Sequence, residues 1–83
     1  MTGTTSALQA LSVLSAGGHG VVDSLEGGHA FRSRLANLGF TAGARLKIVQ
    51  NYGHGPMLVS LRGAKVALGR TEAAKVLVSA GES

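Results

Sequence analysis

No cysteine occurs in the chain. That excludes a disulfide framework, a thiolate zinc site and an iron–sulfur cluster held by cysteines. Aromatic side chains are almost as scarce: Phe31, Phe40 and Tyr52 are the whole supply, so a core has to be built from valine, leucine and isoleucine. Acids are few as well. Four aspartates and glutamates stand against eight lysines and arginines, a formal charge of +4, which favours acidic partners over basic ones. So few carboxylates leave little choice for paired acid–base catalysis, and neither a GxxxxGK[ST] phosphate loop nor a GxSxG elbow is present. Gly53 and Gly55 do not make a phosphate cradle, because no lysine and helix follow them. No enzyme activity and no cofactor are expected. The mildly apolar stretch Ala7 to Leu14 is too short to span a bilayer and has no lysine or arginine before it, so it reads as a lead-in to the fold and a cytoplasmic location is expected.

What the chain has is glycine and short β-branched runs. Thirteen glycines divide its 83 residues into the runs Gly20 to Leu25, Ala44 to Asn51, Met57 to Arg62, Lys65 to Gly69 and Val76 to Ser79. Runs of this length between turn signals predict an all-β fold, a sandwich or small barrel. With no repeat and no low-complexity block, the chain is expected to be a single domain over residues 1–83, with a core of about 8–79 and frayed ends at Met1 to Ser6 and Ala80 to Ser83. Gly63-Ala64 is expected to form a type II′ hairpin turn, with glycine first. That register sets Arg62 opposite Lys65, Leu61 opposite Val66, Ser60 opposite Ala67 and Val59 opposite Leu68. Val59, Leu61, Val66 and Leu68 then face in, with Leu46 and Ile48 of the preceding strand; Arg45, Lys47, Arg62 and Lys65 face out.

Phe31, Leu35 and Leu38 stand at i, i+4 and i+7 and predict a short helix from about Ala30 to Leu38. Gly39 is placed to end it in a left-handed conformation, with Phe40 folding back onto Leu35. So short a helix is marginal alone in water, and its stripe is expected to cover the open end of the barrel. A second helical turn, Thr71 to Lys75, is expected before the last strand.

Taken in order, Leu11, Leu14, Gly17, Gly20-Val21, Arg34-Leu35, Leu38-Gly39-Phe40, Gly43, Gly55-Pro56, Ala67-Leu68-Gly69-Arg70, Ala73, Val76 and Val78 resemble the FeoA family of small bacterial proteins associated with ferrous iron uptake. The resemblance runs over most of the chain. It implies an SH3-like five-stranded β-barrel with a short helix inserted after the first barrel strand, and a cytoplasmic accessory that binds FeoB, the membrane ferrous iron transporter with a GTP-binding domain. A related domain ends some iron-dependent repressors. The loop Asn51 to Pro56 departs from a common family form, since it lacks the acidic residue often found before the proline.

The matching residues are mainly glycines and aliphatics, so they describe folding; function is sought on what the fold exposes. The outward Arg45, Lys47, Arg62 and Lys65 are the candidate partner-binding patch, where charge speeds encounter and sets orientation. Arg32, Arg34 and Arg70 are weaker candidates. His19, His29 and His54, with Asp23 and Glu26 near the first two, raise the question of a metal, but no HxH, HxxxH or HxxE spacing presents two ligands from one element. Two alternatives to the transporter accessory stay open: a metal-responsive regulatory domain using those histidines, and a basic nucleic-acid-binding barrel. The latter lacks stacking platforms, since only Tyr52 is spared from the helix contact. Open sheet edges, with Leu58 or Leu77, could serve a homodimer.

Overall fold

The β-branched runs become strands of one antiparallel sheet in the computed structural model, which describes residues 8–80. In chain order these are β2 (His19–Leu25), β3 (Arg45–Gln50), β4 (Met57–Leu61), β5 (Ala64–Leu68) and β6 (Val76–Ala80). The stretch expected only to lead into the fold adds a sixth strand, β1 (Leu8–Ala10), and a single 3-10 turn, Leu11–Val13. It is structural because Leu11 is fully buried and β1 pairs with β6. Of the ends expected to fray, Met1 to Ser6 and Ala80 to Ser83, Ala80 is instead the last residue of β6, paired with Gly20, and the others lie outside the described residues.

The strand order is β1-β6-β2-β3-β4-β5. β1 and β5 are the two ends of that order, so among the described residues the SH3-like barrel has six strands and stays open between them. Alternation assigns the faces, as a period of two requires. Val22, Leu46, Ile48, Met57, Val59, Leu61, Leu68, Val76 and Val78 are buried in one aliphatic core.

The β4–β5 hairpin corrects the expected register. Leu61 pairs with Ala64, Val59 with Val66 and Met57 with Leu68. The turn residues are therefore Arg62 and Gly63, at φ 54° and 84°, a type I′ turn with both central residues left-handed. Arg62 leaves the strand for the turn, and Lys65 lies opposite Ser60 instead. The expected like-charge pair does not form. A I′ turn matches the strand twist, and this register gives all five residues of β4 a partner, setting buried Met57 against buried Leu68. Because the slip is two residues, the inward and outward faces are unchanged.

Helix α1 (His29–Asn37) follows β2. Its stop is a Schellman motif: the Gly39 amide donates to the Ala36 carbonyl and the Phe40 amide to the Leu35 carbonyl, each at 3.0 Å. Gly39 sits at φ 109°, and a Cβ there would come within 3.0 Å of Leu61 Cδ2, so both conformation and space call for glycine. Leu35 and Phe40 are buried, and Phe31 packs against the same core. Leu38, expected in that stripe, is 45% exposed. It is the C-cap residue, and the chain reversal at Gly39 gives Phe40 the inward place. The second helical turn is α2 (Arg70–Ala74), ahead of β6.

Candidate functional site

Strand pairing lines up one row across the outer face of the sheet. His19 on β2 pairs with Lys47 on β3, Lys47 with Ser60 on β4, and Ser60 with Lys65 on β5. Direct partners share a face, so the four side chains form a ladder with a short serine between two lysines. The dip this leaves is a shallow groove lined by Gly17, Lys47, Ile48, Val49, Ser60 and Lys65. Both lysines and His19 are exposed, and Ser60 is half-buried. Arg45 lies two residues back along β3 on the same face, opposite Val21. Arg62 sits in the hairpin turn, its Cδ close to the Gly39 end of α1. No acid interrupts the row, and among the described residues the only salt bridge is between Arg34 and Glu72.

The histidines are placed apart. His19 is on β2, His29 opens α1 with its Nε2 3.5 Å from Ser33 Oγ, and His54 is in the β3–β4 loop. All three are exposed. Among the described residues no group of three histidines, aspartates or glutamates could hold an ion together. Leu58 and Leu77 are half-buried on the outer face, on β4 and β6.

A second cluster, which residue spacing does not reveal, fixes the β3–β4 loop. Asn51 Nδ2 donates to the Ser12 carbonyl at 3.1 Å and to the Leu14 carbonyl at 2.7 Å. Its Oδ1 accepts from the Gly53 amide at 3.0 Å, an Asx turn that the Asn-x-Gly pattern could have signalled. Arg70, at the start of α2, donates to Asn51 Oδ1 (2.9 Å), the Gly55 carbonyl (3.2 Å) and the Ser12 carbonyl (2.8 Å). One guanidinium thus ties the loop to the 3-10 turn, a use for its planar fork. Arg70→Ala is expected to cost about 1.5 kcal/mol, by loss of charge-assisted bonds, and to speed hydrogen exchange at the Gly53 amide. Arg70→Lys should not restore protection, since one ammonium cannot span the three acceptors.

Glu72 braces α2 against α1. Its carboxylate accepts from the Arg34 guanidinium and, at 3.0 Å, from the Gly69 amide at the N-cap. The Arg34 hydrogen bond, then the Gly69 one, hold its pKa below the ordinary carboxylate value, with partial burial opposing. A carboxyl depressed in the folded state stabilises above its unfolded pKa, and that contribution is lost as pH falls through the folded one. Acid titration of Glu72→Gln should therefore show a shallower loss of stability below the carboxylate range than the parent, by up to about 1 kcal/mol as for a surface pair. An unchanged pH profile would remove this role.

Against known proteins, residues 9–80 match the FeoA domain model. The chain belongs to the FeoA family. It is 32% identical over 62 residues to "Putative Fe(2+) transport protein A" of Methanocaldococcus jannaschii, covering 75% of this chain and 74% of that one. A crystal structure of an iron uptake regulatory protein, FeoA, superposes with a TM-score of 0.84 at 31% identity, covering 89% of this chain and 99% of that one. Zinc-complexed FeoA of Stenotrophomonas maltophilia, described as an SH3 domain protein, gives a TM-score of 0.75 at 34% identity, covering 83% and 87%. In this FeoA-family chain, three residues of the motif quoted in the sequence analysis are structural joints: Gly39 stops α1, Gly69 caps α2 and Arg70 clamps the loop. They build the scaffold, while the basic row is carried on its outer face.

Proposed function

We infer that this FeoA-family chain is a non-enzymatic accessory of ferrous iron uptake, acting in the cytoplasm by contact with the cytoplasmic part of the transporter FeoB. The observation that carries this reading is the uninterrupted ladder His19, Lys47, Ser60 and Lys65 on an exposed sheet face. An exposed basic face suits recognition of an acidic protein surface, where charge raises the encounter rate and fixes orientation. Membership in a family that includes "Putative Fe(2+) transport protein A" supports a role beside a ferrous iron transporter. Among the described residues no helix is long and apolar enough to cross a membrane, and transport itself is assigned to the partner.

The rival readings draw less support. Phe40 is buried and Phe31 packs on the core under the Lys75 ammonium, 5.3 Å from its ring centre, which leaves Tyr52 alone as a stacking surface for nucleic acid. The three histidines stand on separate elements, which disfavours a metal-sensing role.

Co-purification with detergent-solubilised FeoB, loaded with GTP or GDP, tests the reading. Retention of this chain in at least one nucleotide state is the expected result. Failure to bind the intact transporter in every state contradicts it.

A further inference from the structure

β5 is the last strand in the sheet order and has a neighbour on one side only. Among the described residues its backbone pairs with β4 alone. The I′ turn at Arg62-Gly63 decides which groups are left over. In a two-residue hairpin the residues flanking the turn exchange both backbone hydrogen bonds, and bonded and non-bonded pairs then alternate. Leu61 with Ala64, Val59 with Val66 and Met57 with Leu68 are thus the bonded pairs, while Ser60 with Lys65 and Leu58 with Ala67 are not. The N–H and C=O groups of Lys65 and Ala67 therefore point away from β4, to the open side of the sheet. Both residues are exposed.

Proteins commonly blunt such an edge with proline, a bulge or a covering segment. β5 contains no proline, and its register with β4 is unbroken over five pairs. Among the described residues its one guard is the charge of Lys65, which is also where the basic ladder reaches the edge. That charge selects among occupants. Pairing two copies through β5 would bring two lysine-bearing edges of a +4 chain together, whereas an acidic strand would set carboxylates beside Lys65, with Lys47 two strands further in. A polyproline ligand would need an aromatic-lined groove, and Tyr52 is the one well-exposed aromatic.

We propose that β5 accepts an extended acidic segment of a protein partner as an added strand, hydrogen-bonded to the Lys65 and Ala67 backbone with a carboxylate opposite Lys65. This rests on the outer face being the partner-facing one and adds the mode of recognition. Backbone pairing supplies affinity in such strand addition, and the alternate side chains supply selectivity.

The test uses the isotope-labelled full chain and a capped peptide of alternating threonine and glutamate, with its threonine–lysine counterpart as control. The acidic peptide should shift the Lys65 and Ala67 amides and slow their exchange with deuterium roughly tenfold, and the lysine peptide should do neither. Lys65→Glu should weaken the acidic peptide about tenfold. Ala67→Pro removes an edge donor without touching the β4 pairing and should abolish protection. A peptide N-methylated on its pairing face, which leaves the protein unchanged, should fail in the same way. Shifts confined to lysine side chains, equal binding of both peptides, or no effect at millimolar acidic peptide would overturn the proposal. So would concentration-dependent protection of these amides without peptide, which would make the occupant a second copy. If FeoB binds parent and Ala67→Pro equally, strand addition fails and the transporter reading stands. If the peptide docks on β5 and FeoB does not bind, the reverse holds.

Discussion

Replacing Phe40 with alanine is expected to destabilise the domain by about 4 kcal/mol, enough to lower its melting temperature by roughly 15–30 °C for a domain of this size. Phe40 is 1% exposed and is the largest fully buried side chain. Its backbone amide also closes the helix stop on the Leu35 carbonyl, so the ring is held where the chain reverses. Neighbouring aliphatics cannot collapse into the space without moving α1 or β4, since Gly39 already abuts Leu61. Phe40→Leu keeps most of the volume and should cost no more than about 1.5 kcal/mol. Urea or thermal unfolding of the three proteins measures this. A loss below about 1 kcal/mol for the alanine variant would mean that Phe40 does not anchor the core.

That anchor is legible in the sequence, because Phe31, Leu35, Gly39 and Phe40 combine a helical period with a helix-stop signal. The strand runs are legible for a similar reason, and so is their outward set of basic residues. The register of the last hairpin is not. Gly63 satisfies either a II′ turn with Ala64 or a I′ turn with Arg62, and a slip of two leaves every side chain on its original face, so a period of two is blind to it. The consequence reaches the site: Arg62 moves to the turn, and Ser60 takes its place opposite Lys65. Arg70 shows in the sequence only as a charge. Its acceptors are Asn51 Oδ1 and the carbonyls of Ser12 and Gly55, and backbone carbonyls carry no residue signature. β1 escapes a reading by pattern because Leu8 to Ala10 is short and does not alternate clearly; its pairing with β6 is a tertiary fact.

The second large effect concerns binding. The double variant Lys47→Glu with Lys65→Glu should weaken association with FeoB about a hundredfold, near tenfold for each reversed charge. Both side chains are exposed and flank Ser60 on the outer face, so the fold has no stake in their sign, and the circular dichroism spectrum should be unchanged. Most of the loss should appear in the association rate at low salt and shrink as salt is raised. Arg32→Glu, exposed on α1, changes the net charge without touching the ladder and should have a much smaller effect. Equal weakening by Arg32→Glu and by either lysine reversal would assign the attraction to net charge rather than to this face. Isothermal titration or biolayer interferometry with the transporter's cytoplasmic domain gives both readings.

Amide chemical-shift mapping on the isotope-labelled chain during titration with the FeoB cytoplasmic domain tests the account most directly. The predicted result is a continuous set of perturbed residues running from His19 through Lys47 and Ser60 to Lys65 and Ala67, with the amides of α1 and the Tyr52 loop unmoved. Perturbations centred on α1 or on the Asn51 to Pro56 loop, with the outer face of β3 to β5 silent, would contradict it.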